Sequence, residues 1–421
     1  MLERINSFIW GRGLICLLLL IGVIYTIKLK ALQFRMLPFI IQKCKNKEIR
    51  KSQFKTFCVS LGTAMGTGNI TGVASAIAIG GAGAVFWMWL SAFLGMATVY
   101  TENYLSAKYS DKEVKGPMAY LTKGAGSSTL AVCFSASCVL TSLGMGSMAQ
   151  TNAMSESIMV CTDISPFLLS VIIFTVIFAV ICGGVKRIEK AAQIFLPLAT
   201  ILYTVMCIMV IYKAGSELSN VFTKIFMEAI GVEQCVGGIS GYGISKAVSA
   251  GIRRGFFSNE AGLGSSPILH SSSENCKNTE LQAMCSMFEV FIDTMLCCTL
   301  TAFTILCASA DGTIQSAFYL ILGDFSYYII ALLMTIFAFC TVIGWYYCGE
   351  TAFLFLVPNG SRKIFSFVFS LIAAIGVIIK ADEAWTISDI FNGLMAFFNS
   401  IGLILLFKKV NGIKADNSVN K

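Results

Sequence analysis

Long apolar stretches alternate with short polar segments along the whole chain. Each stretch approaches the roughly 20 residues that a helix needs to cross the hydrocarbon core of a bilayer. We predict eleven membrane-spanning helices from this pattern, at residues 13–31, 54–80, 84–107, 129–150, 164–184, 190–214, 244–270, 281–309, 327–357, 363–381 and 385–408. A basic loop rather than a small-residue cleavage site follows the first stretch, so we interpret it as a retained helix. The pattern therefore predicts an all-α polytopic membrane protein.

The amino-acid composition agrees with a membrane environment. Of the 421 residues, 56% are hydrophobic and 13% are charged, whereas a soluble domain carries about 25% charged residues. The chain also has 16 cysteines, most of them inside apolar stretches and none in a CxxC pair. Cysteine in such a setting behaves as a small apolar side chain. We therefore expect membrane lipid around the protein, and neither a disulfide scaffold nor a zinc site.

Lysine and arginine cluster in the segments between alternate spans. The clusters lie at 28–55, 108–123, 186–190, 362–363 and 408–414. If all eleven spans are real, every cluster falls on one side, and the opposite loops at 80–83, 151–166 and 309–326 are nearly bare of positive charge. Because cytoplasmic loops retain positive charge, we predict an external N-terminus and a cytoplasmic tail at 409–421. The net charge of +8 then needs no nucleic-acid partner.

Two of the spans contain residues that a lipid-facing helix does not tolerate. Ser60–Ser75 reads SLGTAMGTGNITGVAS, and Gly251–Ser266 reads GIRRGFFSNEAGLGSS. Since lipid cannot satisfy unpaired backbone groups, a helix is broken in a membrane only where it lines a protein cavity. The alternatives are close helix packing through GxxxG and a nucleotide-binding turn, but the turn needs a preceding strand and an acidic residue about 20 positions on. We predict two broken helices.

The positions of these breaks indicate an inverted repeat. Without the first span, 13–31, ten spans remain, and the broken ones are the first and the sixth. Residues 54–214 and 244–408 then form two five-helix halves of opposite topology. Matching interrupted helices in two inverted halves are the best sequence indicator of a transporter's midplane site. Freed N–H groups suit a carboxylate and freed carbonyls suit a hard cation such as sodium.

The same residues resemble a known family. GTGNITGVASAIAIGGAGAVFWMWLSAFLGMATVYTE (Gly66–Glu102) and RGFFSNEAGLGSSPI (Arg254–Ile268) resemble the two signatures of the alanine or glycine:cation symporter family. Shorter blocks at Gly146–Asn152, Phe291–Thr294 and Thr341–Glu350 follow in the expected order. The resemblance implies a LeuT-like 5+5 inverted-repeat fold, with one additional N-terminal helix, in a bacterial or archaeal plasma membrane. It implies symport of a small neutral amino acid, alanine or glycine, with sodium or occasionally a proton, and no cofactor.

The resemblance also implies a substrate site between the breaks. One wall would consist of Gly66, Thr67, Gly68 and Asn69, and the other of Phe257, Ser258, Asn259 and Gly262. Gln150 would contact the substrate from a third helix, and Trp345 would cap its side chain. Thr341 lies four residues before Trp345 and so shares a helix face with it. Its hydroxyl, together with backbone carbonyls near Met65 and Gly68, would bind sodium.

Several ionisable residues within the predicted spans allow more than one functional interpretation. Glu289 and Asp293 are four apart, which fits a proton relay or part of the cation site. For Glu289 we favour a structural pair with Arg253 or Arg254. Glu102 and Glu260 fit a bracing role in which they accept backbone N–H bonds at a broken helix. Arg254 is a structural or coupling candidate, and the single histidine, His270, is interpreted as structural.

Other classes of protein lack their motifs in this sequence. There is no HExxH, no GxSxG with a partnered histidine and no P-loop GxxxxGK[ST], so we expect neither an enzyme nor an ATP-driven pump. The alternatives to sodium symport are a proton-coupled or other neutral amino acid transporter, or a channel or membrane sensor with the same fold.

Overall fold

A computed structural model describes residues 2–43, 56–58, 60–183, 185–231, 240–271, 279–308 and 312–410, and all regular secondary structure in these residues is helical. The helices are α1 Leu2–Ile9, α2 Arg12–Lys28, α3 Met36–Lys43, α4 Thr71–Gly80, α5 Gly83–Tyr109, α6 Ser128–Cys161, α7 Pro166–Cys182, α8 Val185–Lys213, α9 Leu218–Ile230, α10 Ser240–Asn259, α11 Ser265–His270, α12 Thr279–Ala308, α13 Ile314–Leu322, α14 Phe325–Leu356, α15 Arg362–Gly376 and α16 Ala381–Leu405. A further helical stretch at 60–64 precedes α4.

Each of the eleven predicted spans contains helix in its described residues. Seven of the described helices are long and apolar enough to cross a bilayer, namely Leu2–Lys28, α5, α6, Ile194–Lys213, α12, α14 and α16. The shorter α7 and α15 and the two broken segments occupy the other four predicted spans. The total of eleven crossings stays a prediction. Residues 54, 55, 59, 184 and 309 of the predicted spans and 411–421 of the predicted tail lie outside the described residues.

The span predicted at 129–150 is too short, because α6 continues to Cys161. Its polar C-terminal part faces protein instead of a loop. Thr151 Oγ1 donates to the Ala373 carbonyl at 2.7 Å, and Asn152 Nδ2 donates to the Gly376 and Ile379 carbonyls at 3.0 and 2.8 Å. These bonds to α15 and the residues after it satisfy side chains that look loop-like in the sequence.

The loop predicted at 309–326 is also partly wrong, because it contains α13. Thr313 caps this helix by accepting a hydrogen bond from the Ser316 backbone N–H at 3.3 Å, which satisfies one of the free N–H groups at the helix start. Phe318 on α13 is fully buried and packs against α8 and α14. The helix therefore covers the ends of two longer helices.

Two groups of helices pack closely in the core. In one group, α10 and the first part of α12 pack on α5, and in the other, α14 and α16 pack on α6. Glycines allow the closest approach, since a Cβ at Gly251 would lie 2.2 Å from the Ala84 carbonyl oxygen of α5. The N-terminal helix α2 joins the groups, and Tyr25 donates from its hydroxyl to the Leu403 carbonyl at 2.7 Å.

Candidate functional site

The first break lies at residues 65–70, between the helical stretch 60–64 and α4. Gly66 has an extended backbone with φ −105° and ψ −161°, and Thr67–Asn69 form a single 3₁₀ turn. The backbone hydrogen bonds here run from residue i+3 to residue i, not from i+4 to i as in an α-helix. The Ile70 N–H, for example, donates to the Thr67 carbonyl at 3.1 Å. Regular α-helix resumes at Thr71. The break predicted from the glycines is therefore present in the structure.

The second break lies at residues 260–264, between α10 and α11. Glu260, Gly262 and Gly264 have left-handed φ values of 55°, 85° and 80°, a region that glycine adopts without cost and that strains other residues by roughly 1–2 kcal/mol. Asn259 stabilises the turn, because its Oδ1 accepts a hydrogen bond from the Ala261 N–H at 3.0 Å. The chain thus changes direction here before α11 begins.

Asp293 on α12 joins the two breaks. Its Oδ1 accepts from Asn69 Nδ2 at 2.6 Å, and its Oδ2 accepts from Ser258 Oγ at 2.7 Å and from Thr294 Oγ1 at 2.8 Å. All of these side chains are buried. One carboxylate therefore holds a residue of each broken segment in place.

Gln150 and Thr341 meet the first break from α6 and α14. Gln150 Oε1 accepts from the Thr67 backbone N–H at 3.0 Å and from Thr67 Oγ1 at 2.9 Å. A Cβ on Gly66 would lie 2.7 Å from Thr341 Oγ1 and 2.8 Å from Gln150 Oε1. Thr341 also donates to the Gly62 carbonyl at 3.2 Å. The hydroxyl of Thr341 and nearby backbone carbonyls are the kind of oxygen atoms that bind a hard cation.

The aromatic residues predicted for the site are buried beside the breaks. Trp345 is fully buried against Gly146, where a Cβ would come within 2.2 Å of the tryptophan. The Phe257 ring lies over Gly68, 3.3 Å from where a Cβ would be, and packs against the Trp385 ring at 5.0 Å. Little space therefore remains beside Gly68 and Gly146.

The two bracing glutamates act in different ways. Glu260 accepts from Trp345 Nε1 at 2.8 Å and from Ser265 Oγ, so the prediction that it accepts backbone N–H groups is wrong, and side chains hold it instead. Glu102 accepts from Asn399 Nδ2, and the backbone N–H groups of Gly262 and Gly264 lie close to its carboxylate.

The prediction that Glu289 pairs with Arg253 or Arg254 is wrong. Both arginines pair with Asp389 on α16, Arg254 at 3.5 Å. The Arg254 guanidinium also lies 4.9 Å from the Trp385 ring centre. Glu289 instead contacts His270 and Ser60.

The sequence interpretation also missed an open cavity of about 320 Å³ beside α4. Its lining residues come from α4, α6, α13 and α14, and include Thr71, Ala153, Glu156, Gln315 and Tyr327. The volume is within the range of small-molecule pockets. Gln315 lies on the helix that the hydropathy pattern did not predict, so only the folded chain brings these residues together.

Comparison with known proteins agrees with this architecture. The model of the sodium:alanine symporter family matches residues 1–419. The chain is 32% identical to the sodium/alanine symporter AgcS of Methanococcus maripaludis, over 100% of this chain and 98% of that protein. It is 35% identical to the probable sodium/glutamine symporter GlnT of Bacillus subtilis, over 96% of this chain and 87% of that protein.

The fold also has a counterpart among solved structures. A Na⁺-coupled sialic acid symporter in its substrate-bound outward-open state superposes with a TM-score of 0.55 at 14% identity, covering 96% of this chain and 82% of that one. This likeness confirms the LeuT-like fold class, and the family match confirms the resemblance of the signature blocks. The chain therefore belongs to the sodium:alanine symporter family, and it is a multi-pass membrane transporter that couples amino acid symport to sodium, not an enzyme.

Proposed function

We propose that this protein takes up a small neutral amino acid, alanine or glycine, together with sodium by alternating access. The observation that carries the proposal is the arrangement around Gly66, where Gln150 and Thr341 converge on an unwound backbone. Gln150, Thr67 and Phe257 are uncharged, so they suit a neutral side chain. The Phe257 ring over Gly68 and Trp345 over Gly146 leave room only for a small one. The name of the Methanococcus maripaludis relative, a sodium/alanine symporter, supports the same substrate.

The substrate site proposed here uses both breaks. The backbone of Gly66, Thr67 and Gly68 would receive the carboxylate of the amino acid, since unwound N–H groups attract an anion. The remaining contacts are assigned to Asn69, Gln150, Phe257, Ser258, Asn259, Gly262 and Trp345. Sodium would bind Thr341 Oγ1 and the backbone carbonyls of Met65 and Gly68.

The transport cycle we propose is a movement of the inverted halves, 54–214 and 244–408, around the fixed breaks. Asp293 supports this role, because it bonds to Asn69 of the first half and to Ser258 of the second. Movement of one half would therefore be transmitted to the other through a single carboxylate. Helix α2 would remain outside the repeat.

We also propose an external N-terminus and a cytoplasmic C-terminus, from the one-sided distribution of lysine and arginine. The test is accessibility of single cysteines, introduced at Ser7 and at Ser418 of a chain whose own exposed cysteines have been replaced, to a membrane-impermeant reagent in intact cells. Labelling at residue 7 and none at 418 is expected. The reverse pattern would contradict the orientation without affecting the substrate proposal.

The decisive experiment is uptake of radiolabelled alanine by proteoliposomes under an inward sodium gradient. We expect accumulation that collapses when the gradient is dissipated and that unlabelled glycine reduces. If a proton gradient without sodium drove the same uptake, protons and not sodium would be the coupling ion. Saturable binding without accumulation would indicate a sensor, and non-saturating conductance a channel.

A further inference from the structure

A second, smaller polar cavity lies beside the helical segment that precedes the first break. Its lining includes Ser60, Asn259, Glu260, Ser286, Glu289 and Asp293, contributed by both broken segments and α12. The room at its centre is about that of one water molecule. Except for Asn259, these residues belong to no substrate contact proposed above.

The cavity concentrates carboxyl groups, and within the described residues no lysine or arginine pairs with them. Glu260, Glu289 and Asp293 are 3%, 4% and 0% exposed. In the described chain none of the three forms an ion pair with lysine or arginine, and the two nearby arginines are held by Asp389. Burying an ionised carboxylate without a partner is so costly that the group is usually neutralised. At least one of these carboxylates therefore needs a proton or a bound cation.

Glu289 differs from the other two carboxylates in its partners. Its Oε1 lies 2.9 Å from His270 Nε2, and its Oε2 accepts from Ser60 Oγ at 2.7 Å. Glu260 and Asp293 accept hydrogen bonds at both oxygens from side chains that do not titrate near neutral pH. Glu289 alone among the three contacts an imidazole, which can give or take a proton.

The other titratable groups around Glu289 are carboxyl groups, one thiol and one imidazole. Cys58 on the first broken segment and Glu260 at the second break lie close enough to interact with it electrostatically. Asp293 lies one turn further along α12, and Glu102 on α5 lies behind Glu260. His270 on α11 is the remaining group.

Asn259 provides an independent observation that points to a ligand. Its side chain is 4% exposed and lines the cavity, and its Nδ2 has no hydrogen-bond partner. The amide orientation is set by the Ala261 N–H, which requires Oδ1. An unpaired N–H donor needs an acceptor such as a water oxygen, and it disfavours a bare metal cation. Within the described residues, no group of three His, Cys, Asp or Glu side chains is arranged to hold a metal ion.

We propose that this cavity is a proton-binding site, separate from the sodium position at Thr341, in which Glu289 carries the proton. His270 Nε2 accepts that proton from Glu289 or returns it, and one water links the pair to Asn259 Nδ2. Ser60 belongs to the first broken segment, and His270 ends the second. Binding of the proton therefore links Ser60 and His270, which lie on the sides of the two broken segments away from the open cavity. It also neutralises one of the three clustered carboxylates.

The test is infrared difference spectroscopy of the purified full-length protein during pH titration, following the carbonyl band of a protonated carboxyl group. We expect a protonated-carboxyl band that disappears in Glu289→Gln. It should persist in Glu350→Gln, whose buried carboxylate on α14 pairs with the Tyr346 hydroxyl. Ser60→Ala, which retains the carboxyl group, should shift the band without removing it. A band unchanged in Glu289→Gln would overturn the assignment.

A sodium titration of the same samples separates the two possible occupants. If the site binds protons, sodium leaves the band of the wild-type protein in place. Loss of the band on adding sodium would show a cation site instead and refute the proposal. Sodium-driven alanine uptake should depend on pH in the wild type and lose that dependence in Glu289→Gln. The uptake experiment rests on the proposed function. If the wild type transported no alanine, the infrared spectra would still show whether Glu289 binds a proton.

Discussion

Gly66 occupies a backbone position at which three helices meet. The side chains of Thr341 and Gln150 both approach within 2.8 Å of where a Cβ would lie. Both are also hydrogen-bonded to this segment, Gln150 to Thr67 and Thr341 to the Gly62 carbonyl. A methyl group at residue 66 therefore cannot enter without displacing the two side chains on which the substrate and sodium proposals depend.

Gly66→Ala should accordingly abolish most sodium-dependent alanine uptake. Overpacking of this kind costs about 1–3 kcal/mol, which corresponds to roughly 5–150-fold in affinity. Gly72→Ala is the matched control, because a Cβ there meets nothing within 4 Å. Proteoliposome uptake at equal protein content compares them. Equal loss in both variants, or in neither, would contradict the assigned role of Gly66.

Thr341→Val removes a hydroxyl while keeping the shape of the side chain. Loss of a group that only orients a metal ligand weakens metal binding about 10–100-fold, so for the loss of a direct ligand we expect at least a tenfold rise in half-saturating sodium. The measurement is the sodium dependence of alanine uptake. Thr335→Val on the same helix is the control, since Thr335 donates only to the Ala331 carbonyl at 2.6 Å. Unchanged sodium dependence in Thr341→Val would place the cation elsewhere.

The sequence identifies most residues of the site, but it does not identify which residues contact each other. Glu289 and Asp293 stand out because ionisable residues are rare in apolar spans. Their partners do not stand out, since Ser60 and Asn69 are 229 and 224 positions away. A sequence shows that a buried carboxylate needs partners, but tertiary packing decides which side chains supply them. This is why the pairing of Glu289 with an arginine was wrong.

At the scale of elements, the breaks were predictable and the π turns were not. Runs of glycine and polar residues cannot form a lipid-facing helix, so residues 65–70 and 260–264 are recognisable. The π turn at Gly144–Met148 contains two glycines but does not break its helix, and the one at Phe291–Cys298 contains none. Each inserts an extra residue into its turn and so alters which faces of α6 and α12 carry Gln150 and Asp293.

Helices α10 and α16 are held together by Asp389, which pairs with both Arg253 and Arg254. Asp389→Asn should lower protein stability, because breaking a buried pair leaves uncompensated charge at a cost of about 3–5 kcal/mol, reduced here because Arg253 is 25% exposed. A thermal-shift measurement in detergent checks this. Asp382→Asn, at an exposed position on the same helix, should leave the midpoint unchanged. A similar midpoint for both variants would show that the arginine cluster does not stabilise the contact.

At the scale of the whole molecule, sodium and alanine should each increase the affinity for the other by the same factor. Both are proposed to bind at one unwound segment, where Gly66 separates Thr341 from Gln150, so ordering it for one ligand prepares it for the other. Equality of the two factors is required by linkage, and typical values are about 5–150-fold. Calorimetry on the purified protein would measure alanine binding with and without saturating sodium, and sodium binding with and without alanine.

The Gly66→Ala variant sharpens this measurement, because it crowds the position between the two proposed sites. It should weaken alanine binding even at saturating sodium, whereas Gly72→Ala should bind like the wild type and keep the same coupling factor. Alanine affinity that is indifferent to sodium in the wild type would refute coupling through the first break. The transporter would then have to link its two ligands through contacts elsewhere, and Asp293 would be the first residue to substitute, because it bonds to both broken segments.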